Sequence, residues 1–196
     1  MDATTYFDVD GTLLHRDERD DDITGAAAAF DLAIDEAAIP LYKALVDQYF
    51  RRNASDPYCQ GIERWVERYG FDVDPEAFAE ELKRTQIEDT RAHDGLRDAL
   101  DRLADRATLG VLTNGAGDMQ RGKFDRHDLS HLFETALISG EADPMKPRDG
   151  FSEAARERLS ADRHVYVGDR SPLADLAVES VRQLPAATLF ESADSD

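Results

Sequence analysis

Short apolar runs alternate with helical patterns along most of the chain. Thr4-Thr5-Tyr6-Phe7 is β-rich and ends at Asp8. Ala107 to Leu112 ends at Thr113-Asn114-Gly115, Thr135 to Ile138 at Ser139-Gly140, and Val165-Tyr166-Val167 at Gly168-Asp169. Ala187 to Phe190 closes the series. Apolar runs bounded by turn residues read as buried parallel strands. Helical periodicity lies between most of them, near 94–105, 117–127, 150–160 and 172–183. The alternation predicts an α/β fold built on a doubly wound parallel sheet.

Residues 15–91 break the pattern and read as all-helical. Ala26 to Ala37 is rich in alanine, and Pro40, Pro57 and Pro75 sit where helices would start, since proline is tolerated in a first turn. This stretch is too long for a simple crossover, so it reads as a helical insert. The division expected is 1–14 plus 92–196 as the core and 15–91 as the insert.

The polar residues with chemical potential fall at the ends of the predicted strands, and that edge of an open α/β sheet is where ligands bind. Strand alternation would place Asp8 and Asp10 on one side if the strand ran through both. Two such carboxylates repel by about 1 kcal/mol in water and about 4 kcal/mol at an effective dielectric near 20. A cation is the usual remedy. Thr113, Asn114 and Gly115 offer a hydroxyl, an amide and backbone N–H groups ahead of a helix, a setting that suits phosphate oxygens. Pro147 holds Lys146 extended, which suits a fixed cation. Asp169, after an apolar strand and a glycine, is placed to share a metal with Asp8, and oxygen ligands favour Mg²⁺. Taken singly, each cluster has a plain reading: an Asp-Gly turn, an Asn-Gly turn, a surface lysine and a helix cap.

Charge changes the picture of partners. Among 196 residues, 42 are Asp or Glu and 23 are Lys or Arg, a net charge of −19. Such a field disfavours nucleic acid and anionic membranes, and it repels an anionic substrate unless a metal or local cations intervene. The lysines are Lys43, Lys83, Lys123 and Lys146. Acidic runs such as Asp20-Asp21-Asp22 fit a protein working in strong salt, where the Debye length shrinks to roughly 3 Å at 1 M. Cys59 is the only cysteine, so no intrachain disulfide can form, and a reducing, cytoplasmic, high-salt setting is expected. No run approaches the roughly 20 apolar residues that span a bilayer.

Together these residues resemble the haloacid dehalogenase-like (HAD) hydrolases, in the phosphatase branch with a helical, C1-type cap inserted after the first strand. Asp8-Val9-Asp10-Gly11-Thr12 is similar to the first family motif, and Thr113-Asn114-Gly115 to the second. Lys146-Pro147 matches the third, and Gly168-Asp169 with Asp175 the fourth. The stretch TNGAGDMQRGKFDRHDLSHLFETALISGEADPMKP is similar to family members throughout. One departure stands out: five residues, Arg170 to Ala174, separate Asp169 from Asp175, where the family usually has three or four.

The resemblance implies a Rossmann-like core and a magnesium-dependent phosphomonoester hydrolase acting on a small phosphorylated metabolite. Asp8 would be the nucleophile, forming an aspartyl-phosphate, and Asp10 the acid and base. Thr113, Asn114, Gly115 and Lys146 would hold the phosphoryl oxygens. Asp8, Asp10 through its carbonyl, and Asp169 would hold Mg²⁺, with Asp175 and Thr12 acting behind them. An Asp two positions after the nucleophile disfavours a dehalogenase, whose leaving group needs no proton. A phosphomutase of the same family and a non-catalytic phosphate- or partner-binding protein stay open, as does oligomeric state. Tyr49, Arg51, Arg52, Tyr58 and Trp65 either face the cleft or serve as cap core and solvated surface.

The charge reading has a direct test. The melting temperature should rise between dilute buffer and molar KCl, and a flat or falling melt would contradict adaptation to salt.

Overall fold

The computed structural model describes residues 3–16, 22–52, 54, 56–141, 148–168 and 177–178. Its centre is a parallel five-stranded sheet. The strands are β1 (Ala3–Phe7), β4 (Thr108–Thr113), β5 (Thr135–Ile138), β6 (Arg163–Val167) and β7 (Ala177–Val178), in the order β5-β4-β1-β6-β7. β1 is central. Tyr6 pairs with Gly110 on one side and Tyr166 on the other, and Phe7 pairs with Val111 and Val167. The first four strands match the predicted runs to within a residue or two.

Helices α5 (Leu96–Ala104), α6 (Gly117–Arg126) and α7 (Arg148–Arg158) connect strands. One face of the sheet packs Phe7, Val111 and Val167 against Leu96, Leu100 and Leu103 of α5 and Phe124 of α6. The other face packs Tyr6, Leu112, Leu137 and Tyr166 against Ala155 and Leu159. Apolar faces on both sides explain why these strands read as continuous apolar runs. The Tyr6 hydroxyl donates to the Ala155 carbonyl at 2.6 Å, and burial pushes its phenol up to about 12, partly countered by Arg158.

The region between β1 and β4 is largely helical: α1 (Asp22–Ala29), α2 (Ile39–Arg51), α3 (Pro57–Tyr69) and α4 (Pro75–Glu88), with a 3-10 turn at Glu36–Ala38. Proline occupies the first turn of α2, α3 and α4, as predicted. Asp56 and Asp74 cap α3 and α4 by accepting from the Cys59 and Ala77 amides, each at 2.9 Å. Trp65 is the hub of this layer. Its indole N–H donates to the Ala38 carbonyl at 2.9 Å, and its ring lies 4.7 Å from Phe71 and 5.7 Å from Phe78.

Three expectations need correction. The stretch 15–91 is not helical at its ends, because β2 (Leu14–Arg16) and β3 (Thr90–Ala92) form an antiparallel ribbon. The two chain passages run side by side there, and pairing satisfies backbone groups that single strands would leave open. The alanine-rich segment is helical only to Ala29, since Asp31 takes the left-handed conformation with φ 51°. Finally, 172–183 is not one helix: Ala177–Val178 pairs with Tyr166 and Val167 and so satisfies the outer edge of β6. The predicted strand Ala187 to Phe190 lies outside the described residues.

Gly110 is required by packing. A Cβ there would lie 2.5 Å from the Tyr6 ring, which is itself buried and hydrogen-bonded. Gly110→Ala should therefore cost about 1–3 kcal/mol in a urea melt. Wild-type stability in this variant would contradict the close approach.

Candidate active site

The site grows from the end of the central strand. The Asp8 amide donates to the Val167 carbonyl at 2.9 Å, which extends the β1–β6 ladder by one bond. The chain then reverses. The Val9 carbonyl accepts from the amides of Thr12, Leu13 and Leu14 at 3.2, 3.0 and 2.9 Å, and Gly11 adopts φ 83°. That left-handed conformation suits glycine. The Gly11 amide donates to the Leu14 carbonyl at 2.7 Å. Thr12 is buried inside the reversal.

The alternation expected through Asp8 and Asp10 does not occur, because β1 ends at Phe7. The loop instead delivers Asp10 to α6. Lys123 Nζ lies 2.7 and 2.9 Å from the two Asp10 carboxylate oxygens, and Gln120 Nε2 donates to Oδ2 at 2.8 Å. The Lys123 side chain is 3% exposed and that of Asp10 is 47% exposed. The cation offsetting the carboxylate charge at Asp10 is thus Lys123, which the sequence reading passed over in favour of Lys146. A signal was present: Gln120 and Lys123 are three apart and share one helix face.

β4 ends beside this loop. Thr113 is buried, and its hydroxyl is 3.3 Å from the Asn114 carbonyl. The Asn114 carbonyl also accepts from Gln120 Nε2 at 3.0 Å. Ser139, after β5, accepts from the Gly115 amide through its hydroxyl at 3.1 Å and donates its own amide to the Thr113 carbonyl at 3.0 Å. The Gly140 amide donates to the Gly115 carbonyl at 3.0 Å, and a Cβ on Gly140 would lie 2.4 Å from that oxygen. Ser139 was legible in sequence only as a turn residue.

β6 closes the other side. A Cβ at Gly168 would lie 2.9 Å from the Asp8 Cβ, so glycine is what allows the end of β6 to lie against Asp8. Phe7 pairs with Val111 and Val167, so Asp8 and Gly168 follow the ends of β1 and β6 and Thr113 ends β4, all at one edge of the sheet, where neighbouring strands are about 4.8 Å apart. The described structure therefore gathers Asp8, Asp10, Thr12, Thr113, Asn114 and Gly115. Lys146, Asp169 and Asp175 lie outside the described residues.

On the insert side, Arg16 forms an ion pair with Asp22 and is within electrostatic reach of Asp10 and Tyr58. Burial opposes the Arg16 charge, but Asp22 outweighs it, and the guanidinium is held above its ordinary value. Burial also drives the Tyr58 phenol upward, with Arg16 countering and Asp10 and Asp22 adding to the rise, so it stays protonated. Its hydroxyl is 3.1 Å from Gln86 Oε1. Tyr58 is thus within electrostatic reach of Asp10. Trp65 is core, and Arg51 is exposed and paired with Asp47 at 2.8 Å.

The site offers oxygen donors to a hard cation. Besides the Asp8 carboxylate there is the Asp10 carbonyl, since the reversal draws on the carbonyls of Val9 and Leu14 instead. Among the described residues, no cluster of three acidic, His or Cys side chains could hold a metal.

Residues 5–172 match the model of the haloacid dehalogenase-like hydrolases, and the chain belongs to that family. Solved structures agree on the fold. One is the HAD-hydrolase YfnB from Bacillus subtilis, solved bound to magnesium: TM-score 0.66, 19% identity, 86% of this chain and 80% of that one covered. Another is the 2-haloacid dehalogenase from Pseudomonas syringae pv. Tomato, with TM-score 0.61, 25% identity, and 87% and 79% covered. A HAD phosphatase from Thermococcus onnurineus has TM-score 0.56 and 19% identity, with 93% and 95% covered. No curated protein matches in sequence.

Ser139→Ala tests how the second loop is held. It leaves the Gly115 amide without its acceptor, and should cost about 1–3 kcal/mol in a denaturant melt. No change in midpoint would show that Ser139 does not hold the loop.

Proposed function

We propose that this hydrolase removes a phosphoryl group from a small phosphorylated metabolite, using Asp8 as nucleophile and Mg²⁺ as cofactor. The observation that carries the reading is Asp10. It stands two residues after Asp8, held by Lys123 and Gln120, with nearly half its side chain open to solvent. An alkoxide leaving group needs a proton donor at that place, whereas a halide does not. This favours phosphate esters over the haloacids named for some of its structural relatives.

In this proposal each residue has a role. Asp8, on the last backbone bond of the central strand, would attack phosphorus and carry the aspartyl-phosphate. Asp10 would give a proton to the leaving oxygen and then take one from the attacking water. Thr113, Asn114 and the Gly115 loop would bind the equatorial oxygens, with Lys146 as a second cation. Thr12, buried in the reversal, and Asp175 would support these residues. The donor set fits Mg²⁺: the Asp8 carboxylate, the Asp10 carbonyl and Asp169 are all hard oxygen ligands. When bound, the ion would neutralise charge on the phosphoryl group. Its charge would also reconcile an anionic substrate with a chain of net charge −19. The helical insert would serve as the cap, closing over Asp10 with Tyr58 and Arg16. Solvent access at Asp10 favours hydrolysis over the mutase reaction, which must exclude water. A small substrate suits this acidic surface better than a polynucleotide.

The test is a panel of phosphorylated metabolites and p-nitrophenyl phosphate, assayed with Mg²⁺ in molar KCl. We expect turnover that EDTA removes and Mg²⁺ restores. Asp8→Asn should abolish it, and Asp10→Asn should lower kcat on metabolite esters by about 10²–10⁴-fold. Folded protein that turns over no ester, or that releases halide from 2-haloacids instead, would overturn the proposal.

A further inference from the structure

We propose that Lys123 and Gln120 are positioning residues that hold the Asp10 carboxylate where it meets the leaving oxygen of the substrate. The inference rests on the phosphatase reading and assigns a task to two residues outside the expected motifs.

The geometry is specific. Lys123 spans both carboxylate oxygens at 2.7 and 2.9 Å, and Gln120 holds Oδ2 alone at 2.8 Å. Three contacts select one of the staggered side-chain orientations open to an aspartate in a loop. Both partners are nearly fully buried on α6, so they form a fixed base, while the Asp10 side chain remains 47% exposed. A reacting group fixed in place gains over one that must find its orientation at each turnover.

Gln120 adds an independent sign. Its amide nitrogen serves two acceptors, Asp10 Oδ2 at 2.8 Å and the Asn114 carbonyl at 3.0 Å, so it joins the two loops of the site. Both neighbours accept, which fixes the amide orientation. Its buried Oε1 then has no hydrogen-bond partner among the described residues. Leaving such an oxygen unsatisfied costs stability. Buried polar groups of this kind call for an explanation, and local rules are broken most often at functional sites. Arg16 and Tyr58, both from the insert side, are also within electrostatic reach of Asp10. They do not replace the contacts from α6.

The experiment compares two esters that differ in how much they need a proton. Dinitrophenyl phosphate expels a stable phenolate unaided, whereas an alkyl phosphate needs the leaving oxygen protonated. Lys123→Met and Gln120→Met should lower kcat for the alkyl ester at least about tenfold more than for the dinitrophenyl ester, part of the 10²–10⁴ that a placed acid supplies. KM should stay within about threefold for both, and Lys123→Arg should restore part of the loss. In an Asp10→Asn background, either substitution should cost little further, as for residues acting as one unit. Gln120→Met removes the unsatisfied oxygen but also the donor to the Asn114 carbonyl, two effects of opposite sign on stability, so its melting temperature should change little while alkyl-ester turnover falls. That variant carries the test if Lys123→Met does not fold. Equal losses on both esters, a loss confined to KM, or full additivity with Asp10→Asn would overturn the positioning role alone. Wild-type enzyme inactive on both esters would instead sink the phosphatase reading and the positioning role with it.

Discussion

The structure turns on how the chain leaves its central strand. β1 is hydrogen-bonded on both sides, so its last residues cannot move without breaking two ladders. The Asp8 amide is tied to Val167, and from there the Val9 carbonyl collects three amides in succession. Within a few residues the chain has reversed and entered the ribbon that leads to the helical insert. The nucleophile candidate is therefore anchored by the sheet, and Asp10 is placed by a loop that the sheet itself fixes. A site built this way is more exact than one carried by a free loop.

Much of this was legible in sequence because buried parallel strands announce themselves. Thr4 to Phe7 and Val165 to Val167 are buried on both faces, and each run ends in residues with chemistry. The prolines and aspartates that start α3 and α4 were equally readable, since capping is local. What could not be read was non-local. The ribbon pairs Leu14 with Ala92 across almost eighty positions, and neither three-residue strand is long enough to show a period. Ala177–Val178 carries no distinctive pattern, and its strand character comes from β6. In the site, Asp8, Asp10 and Thr113 were visible at strand ends. Lys123 was not, because a helical lysine looks like surface until the partner of its charge is known. The alternation argument for Asp8 and Asp10 failed for a related reason: it assumed a straight strand where Gly11 allows a turn.

Lysine use follows a physical logic in this acidic chain. Of the three described lysines, Lys43 is exposed while Lys83 and Lys123 are buried. Lys83 meets three carboxylates, Asp56 at 3.0 Å and Glu80 and Asp118 each at 2.9 Å. Burial works against its charge, yet these partners raise its pKa well above the ordinary lysine value. A compact ammonium with rotatable donors suits a pocket of several carboxylates, whereas arginine prefers planar, paired contacts. Arginines accordingly make the outer pairs, such as Arg121 with Glu141 at 2.6 and 2.7 Å. Salt screens those outer pairs far more than the enclosed ones.

Helix α6 is where these threads meet. At its start, Asp118 receives Lys83 from the insert, and Met119 joins the insert's apolar cluster. Toward its end, Lys123 holds Asp10, and Phe124 joins the sheet's core. Between them, Gln120 links Asp10 to the Thr113-Asn114-Gly115 loop, and Gly122 lets Ile87 of α4 approach closely. One ten-residue helix thus belongs to two cores and touches both loops of the site. Close-packed interiors transmit strain rather than absorb it. The orientation of Asp10 is consequently coupled, through a single rigid element, to the seating of the insert that would cover it.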